Sequence, residues 1–222
     1  MNHSEILNKV DHTLLSQTAS WEDISALCRE AERYHTASVC IPPSYVAPVR
    51  KAFPELTICT VIGFPNGYNT TACKAAETKD AIENGADEID MVINLGWVKD
   101  GRWDDVLNEI RRVKAAAGTH ILKVIIETCL LTEEEKLRLC DVVSRSGADF
   151  IKTSTGFSKG GATPEDIRLM REHCAPEVRV KAAGGISTLE DAELFVSLGA
   201  DRLGSSRIVR LIREKEKEAS QC

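Results

Sequence analysis

Three segments of this sequence share one pattern: Gly85-Ala86-Asp87-Glu88-Ile89-Asp90, Gly147-Ala148-Asp149-Phe150-Ile151-Lys152 and Gly199-Ala200-Asp201-Arg202-Leu203-Gly204. Each follows a helical pattern; before the last, Leu189, Ala192, Phe195 and Val196 recur at helical spacing. Glycine is the residue expected just past a helix end, because it tolerates φ > 0. Each turn then leads into a strand-like run. A helix-to-strand turn written three times commits the chain to repeated βα units, and so to a parallel sheet covered by helices.

Other units keep the rhythm with degraded turns. Strands are expected at 38–41, 57–62, 88–93, 121–127, 150–152, 179–182 and 202–204, with a short eighth at 11–15. Helix starts are marked by Thr163-Pro164, an N-cap with Pro at the first position, and by Ser187-x-x-Glu190, a capping box. Eight strands close a barrel, whereas five to seven with a Gly-rich first loop favour an open doubly wound sheet. No G-x-G-x-x-G follows the first strand and the glycine clusters come late, so the sequence predicts an α/β (β/α)8 TIM barrel. At 222 residues, with no linker or low-complexity stretch except the charged segment 213–218, residues 1–222 are expected to form one domain. The charge-rich segment 210–218 is expected to prolong the last helix with a solvated face.

With 28 Lys+Arg against 34 Asp+Glu, a net charge of −6 and 5% aromatics, the chain lacks the composition of a nucleic-acid groove. No apolar run approaches the roughly 18 residues that cross a bilayer, and the first residues lack a basic segment followed by an apolar one. A cytoplasmic protein with small-molecule rather than membrane or nucleic-acid partners is expected. The eight cysteines form no C-x-x-C pair and read as reduced, buried thiols, Cys40 among them. The five histidines are scattered without H-x-x-x-H, so neither a metal site nor a cofactor is expected.

The repeat also aligns chemistry. Asp90, Lys152 and Gly204 each lie five residues after the turn glycine, near the carboxyl ends of their strands. Side chains alternate along a strand, so if Ile89, Ile151 and Leu203 face the helices, Asp90 and Lys152 face the barrel axis. Lys181 repeats the apolar-then-charged pattern one strand later. An inward lysine needs a carboxylate, a ligand or a shifted pKa. Two ammonium groups ~5 Å apart at an effective dielectric of ~20 repel by roughly 3.3 kcal/mol, which would bring one amine from about 10.4 to near 8. A neutral amine attacks a carbonyl, and the resulting iminium lets an adjacent carbon–carbon bond break or form. Asp90 could shuttle the protons. This is the logic of a Schiff-base aldolase, with either lysine as the nucleophile.

Gly184-Gly185 and Gly204-Ser205-Ser206 follow the last two strands and precede helices, an arrangement that reads as an anion nest where barrels commonly hold a phosphate. Thr155 and Gly156 could add donors after Lys152. Lys123 reads as a polar-network residue, a salt bridge lower in the barrel. Asp11 and Thr13 read equally as substrate hydroxyl contacts or as a helix–strand junction.

Four motifs then fall into one order: the 61–67 run Val-Ile-Gly-Phe-Pro-Asn-Gly with Asn69-Thr70-Thr71, the 85–94 run containing Glu88-Ile89-Asp90, Phe150-Ile151-Lys152-Thr153-Ser154-Thr155-Gly156-Phe157, and Val180-Lys181-Ala182-Ala183-Gly184-Gly185-Ile186. Together they resemble the deoxyribose-phosphate aldolases over nearly the whole chain, from residue 11 to about 206. The resemblance implies a metal-free (β/α)8 class I aldolase that reversibly cleaves 2-deoxy-D-ribose 5-phosphate to D-glyceraldehyde 3-phosphate and acetaldehyde. It also implies Lys152 as the Schiff-base lysine, Lys181 as the second lysine that perturbs it, and Asp90 as the proton-relay acid. A cytoplasmic role in deoxyribonucleoside catabolism and a homodimer follow by the same resemblance.

The sequence departs from that pattern in three places. Arg207 stands where the loop after the last strand often carries glycine. Ile41-Pro42-Pro43 replaces a frequent V-N-P. The tail ends Ala219-Ser220-Gln221-Cys222, without the tyrosine that some relatives place near the site. The alternatives are a Schiff-base aldolase or transaldolase acting on another sugar phosphate, a non-catalytic sugar-phosphate-binding barrel, and a metal-dependent lyase.

Overall fold

In a computed structural model, which describes residues 1–219, eight parallel strands alternate with helices. The strands are β1 (Val10–Thr13), β2 (Ser38–Ile41), β3 (Ile58–Ile62), β4 (Glu88–Val92), β5 (Ile121–Ile125), β6 (Phe150–Lys152), β7 (Arg179–Ala183) and β8 (Arg202–Ser205). The helices are α1 (His3–Leu7), α2 (Trp21–Tyr34), α3 (Val46–Ala52), α4 (Thr71–Glu83), α5 (Leu95–Lys99), α6 (Trp103–Ala117), α7 (Glu133–Ser144), α8 (Pro164–His173), α9 (Leu189–Ser197) and α10 (Ile208–Ala219). The strands close a barrel in chain order, with β1 pairing to both β2 and β8. This is the TIM barrel that the repeated turns predict, and α10 runs through the charge-rich segment as expected.

The recurring Gly-Ala-Asp turn has a physical reason that the sequence pattern alone does not display. Gly85, Gly147 and Gly199 take φ of 105°, 84° and 105°, conformations that other residues rarely adopt. The aspartate that follows accepts from the backbone N–H at the start of the preceding strand: Asp87 from Ile58 at 2.8 Å, Asp149 from Leu122 at 2.8 Å, Asp201 from Val180 at 2.9 Å. Each aspartate also meets a cation, Arg50 at 2.5 Å, Lys114 at 2.7 Å and Arg171 at 3.8 Å respectively. Three copies of one charged clip therefore set the register at the amino ends of the barrel, opposite the site.

Two layers of side chains follow from strand alternation. Ile89, Met91, Leu122, Val124, Ile151, Val180 and Leu203 pack outward with the helices into the main apolar core. The helices answer with stripes at helical spacing, such as Ile24, Leu27, Cys28 and Ala31 on α2, or Val106, Ile110, Val113 and Ala117 on α6. Inward faces are mainly polar. They place Asp11, Glu88, Asp90, Lys123, Lys152 and Lys181 inside the barrel, all nearly or wholly buried.

Several local expectations shift. Thr163 caps α8 as expected, accepting from the Asp166 N–H, but α9 is capped by Thr188 with Asp191, not by Ser187 with Glu190. Asp191 reaches both the Ser187 and Thr188 N–H groups at 3.0 Å, which fixes the cap one residue later. The fifth strand stops at Ile125 because Glu127 adopts φ of 54°, and Gly204 and Ser205 lie within β8 rather than after it. The seven cysteines among the described residues are free thiols, and the 220–222 end of the tail lies outside the described residues.

Candidate active site

Lys152 ends β6, Lys181 sits beside it on β7 in direct register, and Asp90 lies across the barrel on β4. Both ammonium groups donate to the same oxygen: Lys152 Nζ and Lys181 Nζ each stand 2.7 Å from Asp90 Oδ2. The other carboxylate oxygen accepts from Lys123 Nζ at 2.8 Å and from the Cys59 thiol at 3.1 Å. Asp90 is thus the hub of the interior. Burial would raise its pKa, but Lys123, Lys152 and Lys181 hold it well below the usual carboxylate range.

Below the hub the charges continue. Lys123 also meets Glu88 at 2.6 Å; Lys181 also pairs with Asp11, which in turn takes Arg202 Nη1 at 2.5 Å and the Ser38 hydroxyl at 2.7 Å. Lys123 is the lower-barrel salt bridge expected from its spacing. Asp11 corrects the expectation of a substrate or phosphate contact: it is fully enclosed under the site, pairs with cations and lines no part of the cavity. Burial opposes a charge on Lys181, yet Asp11 and Asp90 raise its pKa above the ordinary lysine value. The isolated lysine pair imagined from the sequence lacks these carboxylates, and for Lys181 they reverse the sign of the shift.

Above Lys152, which is 3% exposed, opens a cavity of about 660 Å³. Thr13, Thr155 and Gly156 line it on the β1 and β6 sides, and Gly184, Gly185, Gly204, Ser205 and Ser206 on the β7 and β8 sides, with Arg207 at the edge. The anion nest needs one correction. The Ser187 and Thr188 N–H groups at the α9 start are taken by Asp191, whose carboxylate also occupies the positive end of that helix. The Gly184–Gly185 turn and the start of α10, with Arg207 at the edge, line the cavity instead. Cys40 lies buried beside Cys59 in register, and burial pushes the Cys59 thiol well above the ordinary value. Ligand-type atoms of Cys40, Cys59 and Asp90 lie within 4.8 Å of one another, but a cation there would face the ammonium groups already bonded to Asp90.

Residues 6–202 match the model of the DeoC/LacD family aldolases. The chain belongs to that family. It is 58% identical over 219 residues, 98% of each chain, to the deoxyribose-phosphate aldolase of Streptococcus agalactiae serotype Ia. Among solved structures it superposes on QR15, an aldolase, with a TM-score of 0.92 at 34% identity over 97% of both chains. It also superposes on the tetrameric deoxyribose phosphate aldolase of Aeropyrum pernix with a TM-score of 0.88 at 31% identity, covering 97% of this chain and 92% of that one.

Members of this family are carbon–carbon lyases, and this aldolase carries supporting residues that the sequence reading passed over. Glu88 and Arg202 lie two positions before Asp90 and Gly204 on the same strands, so period-two alternation was a signal for their inward facing. Glu127 shares the strand phase of Lys123, but β5 ends at Ile125, before it. Its buried carboxylate accepts from Thr155 Oγ1 at 2.5 Å and from the Thr155 N–H at 3.3 Å, which fixes the loop after Lys152. That loop is also stitched to β7, where the Ala162 N–H meets the carbonyls of Ala183 at 3.0 Å and Gly184 at 3.1 Å. A Cβ on Gly161 would lie 2.4 Å from the Gly184 carbonyl carbon. Gly161→Ala is therefore expected to push the Gly184 turn aside and raise KM for a phosphorylated substrate about tenfold, ~1.4 kcal/mol of binding, with kcat changed less than about threefold. Steady-state kinetics checks this, and an unchanged KM would show that the close approach is not needed for binding.

Proposed function

We propose that this aldolase reversibly cleaves 2-deoxy-D-ribose 5-phosphate to D-glyceraldehyde 3-phosphate and acetaldehyde through a Schiff base on Lys152. The observation that carries the reading is the shared hydrogen bond: the amine at the cavity floor and its enclosed neighbour Lys181 meet on one oxygen of Asp90. Of the two lysines, Lys152 lines the cavity, whereas Lys181 is fully buried beneath it. The name carried by relatives 58% identical over nearly the full chain supports the substrate.

The steps follow from the placement of these groups. Lys152 passes one proton through Asp90 Oδ2 or water, its neutral amine adds to the substrate aldehyde carbon, and loss of water from the carbinolamine leaves an iminium. Electrons of the C2–C3 bond flow into that iminium as the C3 hydroxyl gives up its proton, releasing glyceraldehyde 3-phosphate and leaving an enamine. Protonation of the enamine carbon and hydrolysis then free acetaldehyde and the amine. Asp90 Oδ2 is placed to offset the iminium charge and to relay protons, directly or through water. Lys181, held as a cation by Asp11 and Asp90, lies in the same hydrogen-bond chain. Gly184, Gly185, Ser205, Ser206 and Arg207 would hold the phosphate.

Borohydride reduction in the presence of 2-deoxyribose 5-phosphate or acetaldehyde, followed by intact mass and peptide mapping, tests the mechanism. An adduct on Lys152 supports it, an adduct on Lys181 exchanges the lysine roles, and no adduct with no turnover refutes it. The phosphate assignment has its own check. Arg207→Ala is expected to lower kcat/KM for the phosphorylated sugar about tenfold, ~1.4 kcal/mol, while leaving the non-phosphorylated sugar within about twofold. Equal loss for both sugars would place Arg207 outside phosphate recognition.

The same reading places the enzyme in the cytoplasm, in deoxyribonucleoside catabolism, as one domain over residues 1–222 working as a homodimer. No helix among the described residues is long and apolar enough to cross a membrane. A relative from Aeropyrum pernix is described as tetrameric, which supports self-association without fixing its order.

A further inference from the structure

A second buried ion pair lies outside the barrel, away from the groups the proposed chemistry uses. Lys74 on α4 and Glu109 on α6 have fully enclosed side chains, with Nζ 2.9 Å from Oε1. The lysine spends its other two donors on backbone carbonyls, Gly67 at 2.6 Å and Val92 at 2.8 Å, while Glu109 Oε2 accepts from the Asn94 N–H at 3.1 Å. The pair thereby binds the 63–70 loop to the carboxyl end of β4 and to α6. At the loop's other side, the Gly63 N–H donates to Glu77 at 2.9 Å, and Gly67 N–H to Gly63 C=O at 2.8 Å closes it on itself.

What this loop presents is Phe64. It packs against the buried cluster of Cys40, Cys59 and Val61, whose Cys59 thiol donates to Asp90. It also meets Phe157 edge to face, with centroids 5.2 Å apart and planes at 85°. Phe157 lines the cavity above Lys152. The Phe157 backbone is tied to Thr155, its N–H donating to Oγ1 at 3.0 Å, while its side chain is 49% exposed, so the ring takes its support from Phe64.

A buried pair of this kind is weak evidence for stability, because desolvation offsets its attraction and apolar replacement is often neutral. Burial pushes Lys74 down and Glu109 up in pKa, each opposed by its partner. What an apolar pair could not reproduce is the three-way grip on loop carbonyl, strand end and helix. We propose that Lys74 and Glu109 are positioning residues that fix the 63–70 loop so that Phe64 supports Phe157 as the apolar wall of the substrate cavity. The inference rests on the aldolase reading above. Wild-type turnover of 2-deoxyribose 5-phosphate is the reference that separates failure of that reading from failure of this one.

A double-mutant cycle tests it, with Lys74→Met/Glu109→Leu as one arm and Phe64→Ala as the other. Each arm is expected to lower kcat/KM about tenfold, chiefly through KM, and the combination to lower it less than about threefold further. The melting temperature of the Lys74→Met/Glu109→Leu arm is expected to stay within about 4 °C of wild type. Unchanged KM and kcat in that arm overturns the proposal. So does a combined loss near the full product of roughly a hundredfold, since the pair and the wall would then act independently. Should the core substitution not fold, Glu77→Ala, at an exposed position, releases the same loop at Gly63. It is expected to raise KM about threefold, and no change in KM counts against the proposal.

Discussion

Lys152→Met is expected to abolish turnover, with a loss in kcat of at least about 10⁴-fold, ~5.4 kcal/mol, and to leave no borohydride-trapped adduct. The size follows from the chemistry: without an amine at the cavity floor there is no iminium, and the C2–C3 bond has no electron sink. Stability changes little by comparison. Asp90 keeps Lys123 at 2.8 Å and Lys181 at 2.7 Å, so no buried carboxylate is stranded, and Met fills much of the space that the lysine stem vacates. Turnover assayed beside thermal unfolding separates the readings. A sugar-phosphate-binding barrel would lose some affinity and nothing else, because its lysines would only pair with the ligand. Residual activity within about a hundredfold of wild type, in a variant with wild-type folding, would remove Lys152 from the nucleophile's role.

The barrel was legible because its units repeat. Gly85, Gly147 and Gly199 mark the turns, and the residues five positions on are each the third of their strand, so one alternation rule aims Asp90 and Lys152 inward. The clip made by Asp87, Asp149 and Asp201 was visible as a repeated letter but not as a contact, because its partner N–H lies one βα unit back in the chain. Asp11 was misplaced for a related reason. Alternation gives the direction of a side chain but not its depth along the axis, and at two residues before Thr13 the strand is still below the cavity. The Thr188 cap was displaced by one residue because Ser187 and Thr188 both offer hydroxyls, and only the position of Asp191 decides between them.

The electrostatics of the trio were the least legible part. Two lysines taken alone repel, and that repulsion drives one toward neutrality. In the folded chain three carboxylates, Asp11, Glu88 and Asp90, are threaded among Lys123, Lys152, Lys181 and Arg202. Charge placed by strands far apart in sequence cannot be summed from a local motif. Phe64, Lys74, Glu109 and Phe157 escaped for the same cause, since a helix lysine and a loop phenylalanine have no shared spacing that announces their common loop.

Asp90→Asn carries the largest combined effect on stability and activity. An asparagine keeps an acceptor oxygen but no charge, and leaves Lys123, Lys152 and Lys181 crowded around a neutral amide. Breaking a buried pair on one side costs about 3–5 kcal/mol, which for a chain of this size lowers the melting temperature by roughly 6–20 °C. Loss of the proton relay lowers kcat by about 10²–10⁴-fold. The pH dependence has a definite sign. Asp90 is held well below the unfolded value of about 3.9, so its contribution is fully present above that pH and is lost as the pH falls through the folded value. Unfolding free energies of wild type and Asp90→Asn are therefore expected to differ most near pH 7 and to converge below about pH 4. Denaturant titrations at pH 7 and pH 3 check this. A gap that stays constant or widens on acidification would mean that Asp90 is not the carboxylate through which the three lysines stabilise the barrel.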